Sequence, residues 1–288
     1  MKSVLVSGKT GVLSNTIANY LQLKEDILVS QVSLRDENWK AQSFCQYDTI
    51  VHVAGVTPKD VISSEHYYKV NTELTVAFAE KAKQDGVKHF IYISSMSVYG
   101  ITPKCQAVCG AISRTTPCIP IGDYGKSKLL AEERLHCLGN ENFQISLIRV
   151  PSIYGPGMTM YLEQYQNLNQ KFKILPNVFL ENYKSAIYVE NLCELVYMVS
   201  CEKGGGVYCP DDGKYSAVDY CVALDSEKKR SKLLGIIVKM LSRNKRIQNY
   251  FGAVYYDEVC ARVFGGKYRI YNLKDAVQKT YEDIVKER

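Results

Sequence analysis

The chain has 288 residues, of which 46% are hydrophobic and 23% charged, a balance that excludes a disordered or fibrous protein and fits one large or two modest globular parts. The net charge of +6 arises from 36 basic and 30 acidic residues. It suits a protein that handles anionic small molecules, but it falls short of the dense basic stripe that nucleic acid requires.

Residues 3 to 7 (Ser-Val-Leu-Val-Ser) form a β-branched apolar run ending in glycine, the pattern of a buried parallel strand. A tight turn over Gly8 to Ser14 leads to a helix from Asn15 to Leu23, whose Ile17, Ala18 and Leu21 share one face. Further strands are read at 27 to 34, Asp48 to Ala54, His89 to Ser95 and Gln144 to Val150. Between them, helices are read at Tyr67 to Gln84 and Tyr124 to Leu138. Alternation of this kind predicts βαβ units and a doubly wound parallel sheet. Only about a dozen residues separate the second strand from the third, room for one short helix from Glu37 to Cys45 and no further strand. The sheet is therefore expected to be one strand short after the second strand.

Beyond Pro151 the periodicity weakens. A short strand at Ala186 to Val189, a helix from Glu190 to Ser200 and a strand at Val207 to Cys209 are followed by a mostly helical C-terminal stretch. The expected division is a dinucleotide-binding domain over 1–155, to which 185–210 return, and a smaller substrate-binding part over 156–184 and 211–288. Residues 227 to 246 read as one basic amphipathic helix that packs its apolar stripe on the core and leaves its charges wet. The apolar run Leu233 to Leu241 is broken by Lys239 and is too short to cross a membrane. Met1-Lys2-Ser3-Val4 enters a strand at once, leaving no room for a signal peptide, so the ten cysteines are expected to be free thiols in the cytoplasm. Cys105 and Cys109, with Cys118 beyond, lack the tight paired spacing of a zinc site, and no metal is expected.

Three segments carry chemistry. Gly8-Lys9-Thr10-Gly11-Val12-Leu13-Ser14 joins a strand to a helix, with glycine where backbone must approach a pyrophosphate and a helix N-terminus facing the anion. Ser14 stands where a third glycine is usual and is small enough to be tolerated. Tyr124 and Lys128 lie four apart on a helix and so share a face. A lysine cation beside a phenol favours the phenolate, which makes tyrosine a proton carrier near neutral pH. Ser94-Ser95-Met96-Ser97 leaves the fourth strand at its carboxyl end, where such sheets bind ligands, and offers hydroxyls to a substrate oxygen.

These segments, with Val51-His52-Val53-Ala54-Gly55, Asn71, Leu147 to Gly157 and Ala186 to Leu192, resemble the extended short-chain dehydrogenase/reductase (NAD-dependent epimerase/dehydratase) family in order and spacing. The similarity spans roughly residues 3 to 195 and is close in style to the UDP-galactose 4-epimerase branch. It implies a Rossmann-type sheet and a nucleotide-sugar epimerase that acts by transient oxidation of a sugar hydroxyl. It makes Tyr124 the acid/base, Lys128 its partner and a ribose ligand, and Ser95 the ligand of the substrate oxygen. Gly8, Thr10, Gly11, Val12 and Leu13 would line the pyrophosphate, and Ala54 and Gly55 the adenosine side. Asn71 would support the active-site helix, Ser94 the cofactor, and Pro151 and Ile153 the nicotinamide. Ser97 and Lys184 are assigned to substrate, Lys184 standing where relatives carry an arginine near the diphosphate. Pairing of two copies through the helices at 67–84 and 124–138 is a further implication.

Arg35 and Asp36 close the second strand side by side, so a ribose hydroxyl (NAD) and a 2′-phosphate (NADP) both have a partner, with NAD favoured by the overall pattern. Met96 and Ser97 replace the Asp-Glu of the sugar dehydratases, and neither transfers protons at neutral pH, so elimination is disfavoured. Two alternatives stay open. The short link after the second strand and the Gly-Lys-Thr-Gly loop also resemble NADPH-dependent 4-keto reductases. A non-catalytic dinucleotide sensor would keep the fold, but such proteins usually lose the Tyr/Lys pair retained here.

Overall fold

Six strands build the central sheet: β1 (Lys2–Ser7), β2 (Ile27–Val32), β3 (Thr49–His52), β4 (His89–Ser95), β5 (Gln144–Val150) and β6 (Gly206–Tyr208). Their spatial order is β2-β1-β3-β4-β5-β6, and every neighbouring pair is parallel. β4, whose seven residues are all buried, matches β5 residue for residue from His89↔Gln144 to Ser95↔Val150. Such runs are continuous in apolar residues because helices cover both faces of a parallel sheet. The computed structural model describes residues 1–58, 62–106, 110–202 and 204–286; Cys109 of the cysteine pair considered above lies outside them.

β2 is the edge of the sheet, as the short link after it requires. Instead of another strand, residues 33–48 carry a single 3-10 turn, Glu37–Ala41, started by Asp36, whose side chain accepts the amide of Asn38. The link is anchored by two aromatics. Trp39 and Phe44, both buried, meet Phe78 edge-on with ring centroids 5.5 Å apart in each case. Covering the sheet flank this way substitutes for the absent strand, each ring contributing burial on the order of 2–3 kcal/mol.

The helix expected from Tyr67 is continuous but not uniform. It starts at Ser64, widens to π geometry over Lys69–Leu74 and returns to α geometry as α2 (Thr75–Gln84); α1 (Val12–Gln22) and α3 (Asp123–Leu138) flank the same sheet. Asn71 and Thr72 lie on the widened turns and are buried.

The residues form two compact units. The first comprises Met1–Gly100, Pro117–Val150 and Leu192–Cys209 and contains the sheet. The second comprises Ile101–Thr116, Pro151–Asn191 and Pro210–Arg288. It is built from short parallel strand pairs, Ser152–Tyr154 with Ala186–Tyr188 and Ile174–Pro176 with Lys229–Ser231, packed among helices. Its centre is a cluster of tyrosine rings around a buried carboxylate. Asp212 accepts from the Tyr154 hydroxyl at 2.7 Å, the Tyr188 amide at 2.7 Å and the Asn191 amide group at 2.8 Å, and burial pushes it up to about 7.

The reading of 227–246 as one helix with an inward apolar stripe is corrected. Ser231 and Asn244 each cap a new start, giving a helix over Lys232–Met240 and another over Lys245–Phe251. Only Gly235 and Val238 of the first are buried; Leu233, Ile236, Ile237 and Met240 face solvent. Among the described residues no helix is long and apolar enough to cross a membrane, and no group of three or more His, Cys, Asp or Glu is placed to hold a metal.

Candidate active site

The strand order reverses at β1, so the chain leaves β1 and β3 in opposite directions and opens a crevice at their carboxyl ends. A cleft of about 880 Å³ lies there, lined by Gly8 to Ser14, Ser33 to Glu37, Val53 to Thr57 and part of the helical stretch 66–77. Gly8 has φ +99° and a Cβ placed there would lie 3.1 Å from Ser14 Oγ, so both conformation and space call for glycine. Ser14, buried, folds its hydroxyl back onto the Gly11 carbonyl at 2.9 Å, which explains how serine serves at the third position. α1 carries no acidic residue in its first turn, leaving its N-terminal amides favourable to an anion. The donor set and bare backbone fit the pyrophosphate of a dinucleotide.

Beneath the cleft runs a hydrogen-bond chain that motif reading passed over. Ser7 Oγ accepts the amides of Val53 at 3.0 Å and Ala54 at 3.2 Å, so its own proton goes to His52 Nδ1 at 2.8 Å. His52 Nε2 then donates to Thr75 Oγ1 at 2.9 Å. Burial, reinforced by the Lys128 cation, lowers His52 to about 3, so the ring is neutral and this tautomer is the one the network defines. Together these groups hold the backbone of Val53 and Ala54 at the cleft floor.

Asn71 joins that floor to the helix bearing the candidate acid/base. Its side-chain oxygen accepts the Val56 amide at 2.9 Å, and its NH₂ donates to the Val56 carbonyl at 3.1 Å and to Ser127 Oγ at 3.2 Å. Thr72 Oγ1 donates to the Ser127 carbonyl at 2.7 Å. A Cβ on Gly55 would sit 2.9 Å from Asn71 Oδ1 and 3.5 Å from Lys128 Nζ, so Gly55, Asn71 and Lys128 share one crowded corner.

Tyr124 and Lys128 project from the first turns of α3. Gly125 lets that end of the helix press on the turn after β4, since a Cβ there would fall 2.7 Å from the Ser97 carbonyl. The contact sets Tyr124 beside Ser95, with which it hydrogen-bonds, and its ring stands edge-on to Tyr67 at 6.2 Å. Ser95 Oγ in turn meets Ser97 Oγ at 3.1 Å and accepts the Ser97 amide at 3.1 Å. The lysine-lowered phenol expected from the spacing is not what this arrangement gives. Burial raises the Tyr124 pKa, the Ser95 hydrogen bond works against that rise, and Tyr67 adds to it. Lys128 Nζ instead donates to the Ile93 carbonyl at 3.0 Å and lies 4.6 Å from the centre of the Tyr92 ring. Burial brings Lys128 down to about 8, with Glu132 opposing the shift.

Glu132, one further turn along α3, is another residue the motifs did not single out. It is buried and grips Arg149 of β5, which donates through Nε at 3.1 Å to both carboxylate oxygens and through Nη2 at 2.6 Å. Ser94 Oγ donates to the same carboxylate at 2.5 Å. Arg149 Nη1 donates to the Tyr99 hydroxyl at 2.9 Å. The pair therefore clamps α3 to β4 and β5 directly behind Ser95 and Lys128. Its sequence signal was a Lys-x-x-x-Glu spacing and an arginine in an otherwise apolar strand.

Of the residues assigned by reading, Gly8, Thr10, Gly11, Val12, Leu13, Arg35, Asp36, Ala54 and Gly55 line the cleft. Ser94, Ser95, Ser97, Asn71, Tyr124 and Lys128 gather around α3 in the same unit. Arg35 and Asp36 are exposed, and Asp36 already serves as a cap. Pro151, Ile153 and Lys184 belong to the second unit. There Lys184 is buried, neither solvated nor ion-paired among the described residues; its ammonium donates to the Asn249 carbonyl and burial lowers it to about 8.

The model of the NAD dependent epimerase/dehydratase family matches residues 4–207. A UDP-glucose 4-epimerase of Vibrio cholerae is 29% identical over 222 residues, covering 69% of this chain and 66% of that protein. An N-acetyl-α-D-glucosaminyl-diphospho-ditrans,octacis-undecaprenol 4-epimerase of Escherichia coli O157:H7 is 30% identical over 168 residues, 57% of this chain and 48% of the relative. The matched stretches thus span about half to two thirds of these relatives' lengths. In fold, the chain resembles Bordetella bronchiseptica WbmH in complex with NAD⁺, with a TM-score of 0.70 over 99% of this chain and 98% of the other at 18% identity.

Proposed function

The chain belongs to the NAD dependent epimerase/dehydratase family, and from that premise we propose that it is a nucleotide-sugar 4-epimerase using a tightly held nicotinamide dinucleotide, NAD before NADP. The observation that carries this reading is the Tyr124–Ser95 hydrogen bond, with Lys128 on the same helix face, at the carboxyl end of β4 in the unit that holds the switch-point cleft. Both curated relatives named above act as 4-epimerases on a sugar carried by a diphosphate.

Gly8, Thr10, Gly11, Val12 and Leu13 would hold the pyrophosphate, Arg35 and Asp36 the adenosine ribose, and Ala54 and Gly55 the neighbouring face. Lys128, on the helix that Asn71 ties to the cleft floor, would hold the second ribose, with Ser94 toward the nicotinamide, and Ser97 would serve the substrate. When bound, the dinucleotide supplies a site that takes up and returns a hydride. Tyr124 would take the proton of the sugar hydroxyl in the oxidative half and return it to the same oxygen in the reductive half. Ser95 holds the oxygen throughout. Burial raises the Tyr124 pKa, which suits the phenol to act as the acid of the reductive half; the hydrogen bond with Ser95, which works against that rise, would favour the phenolate needed in the oxidative half.

The exposed Arg35 beside an edge strand supports a second reading, an NADPH-dependent 4-keto-sugar reductase. The freshly purified protein is incubated with UDP-glucose, UDP-N-acetylglucosamine and UDP-glucuronate without added cofactor, and products are separated by anion-exchange chromatography. Interconversion of 4-epimers supports the epimerase. Turnover of a 4-keto sugar only with stoichiometric NADPH replaces it with the reductase. Retained dinucleotide with no turnover of any sugar replaces both with a sensor.

A further inference from the structure

We propose that the second unit docks on an anionic lipid surface through the helix Lys232–Met240 and its flanks. The helix is apolar on two sides. One arc, with Gly235 and Val238, packs inward; a Cβ on Gly235 would meet the Asn177 carbonyl at 2.6 Å, so the helix lies hard against the strand region below it. The opposite arc holds Leu233 (70% exposed), Ile236 (58%), Ile237 (48%), Met240 (79%) and, just past its end, Leu241 (53%). Positions 233, 236, 237, 240 and 241 follow the i, i+3, i+4, i+7, i+8 series of a single helix face. Five neighbouring aliphatic side chains turned outward are a surface to be covered, not the scattered exposure usual on soluble chains.

Charge says what covers it. No aspartate or glutamate occurs from Lys228 to Arg246, while eight lysines and arginines do. Among the described residues, Lys229, Arg230, Lys232, Lys239, Arg243, Lys245 and Arg246 form no ion pair, unlike Lys228, which lies 3.7 Å from Asp225. At 100° per residue Lys232 and Lys239 border the outward arc on the Ile236 side. An aliphatic stripe with a cationic rim and no anions matches the acyl boundary and phosphate layer of an anionic bilayer. A second copy of the same face would bring cation against cation in a two-fold contact. Nucleic acid accounts for the cations and leaves the leucine, isoleucines and methionine without a role.

The proposal stands apart from the epimerase reading, and its test keeps them apart. Full-length protein is sedimented with vesicles of phosphatidylcholine alone and with equal parts phosphatidylcholine and phosphatidylglycerol. Binding is expected only to the second and to weaken as salt is raised. Ile236→Ser/Met240→Ser and Lys232→Glu/Lys239→Glu change only exposed positions; the charge-reversal pair is expected to lower partitioning by about 25-fold or more, at about fivefold per cation near the surface. Circular dichroism and turnover of soluble UDP-sugars, if the parent shows any, are expected to stay unchanged. Absence of binding to anionic vesicles, or binding that neither double variant reduces, overturns the proposal. So does concentration-dependent self-association, or retention of duplex RNA, that the same variants abolish while vesicle binding is absent.

Discussion

Replacing Glu132 by glutamine tests the clamp behind the site. The change keeps side-chain shape and removes the charge, leaving the Arg149 guanidinium, only 14% exposed, with a neutral amide where it had three contacts to a carboxylate. The bond to Tyr99 remains, and the ring of Tyr99 still lies 5.0 Å from the guanidinium carbon. Breaking a buried pair by removing one partner costs about 3–5 kcal/mol. The partial exposure of Arg149 places the expectation near the lower end, about 3 kcal/mol, or roughly a 6 °C fall in melting temperature at about 2 °C per kcal/mol for a chain of this size. The double variant Glu132→Gln/Arg149→Met removes the stranded charge and is expected to recover most of that loss. Urea titration of the wild type, both single variants and the double variant gives the coupling energy, expected to exceed about 1.5 kcal/mol. A cost below about 1 kcal/mol for Glu132→Gln, or strict additivity in the cycle, refutes the claim that this pair holds α3 to β4 and β5.

Three further outcomes are expected. Tyr124→Phe lowers kcat on UDP-sugars by about 10²- to 10⁴-fold, the range for loss of a positioned acid/base, while the melting temperature stays within about 2 °C; retained turnover removes Tyr124 from the chemistry. His52, held near 3 when folded, stays neutral while the unfolded chain takes up a proton below 6.5, so stability present above that pH is lost as pH falls from 6.5 toward 3. Comparing wild type with His52→Gln by urea unfolding between pH 7 and 4, the wild type is expected to show a steeper acid loss by up to about 1.4 kcal/mol per pH unit; parallel curves contradict the buried neutral ring. Gly100→Ala forces a Cβ at φ +66° to within 1.9 Å of the Ile119 carbonyl, so backbone must shift, and the loss is expected at about 3 kcal/mol or more; soluble protein of wild-type stability would contradict the left-handed turn at Gly100.

What spacing alone established is local or repetitive. The limits of β4 and β5 were readable because long β-branched and aromatic runs admit one conformation and one burial state. The Gly8/Gly11 loop was readable because backbone near an anion tolerates few side chains, and the Tyr124/Lys128 face because four residues make about one helical turn. Even the missing strand followed from counting residues between β2 and β3.

The rest depended on partners far away in the chain. Trp39 and Phe44 fell within the short helix read from Glu37 to Cys45, and only Phe78, brought from a distant helix, shows that both rings are anchors. Glu132 belonged to no motif, and its role depends on Arg149, which arrives from β5. The pattern at 232–240 showed that an apolar arc exists, but periodicity carries no direction; which arc faces the core was decided by Gly235 fitting against Asn177. The Tyr124 pKa is the same lesson in electrostatics. Proximity in sequence placed a cation one turn from a phenol, whereas burial and the Ile93 carbonyl, properties of the assembled sheet, determined where that cation points.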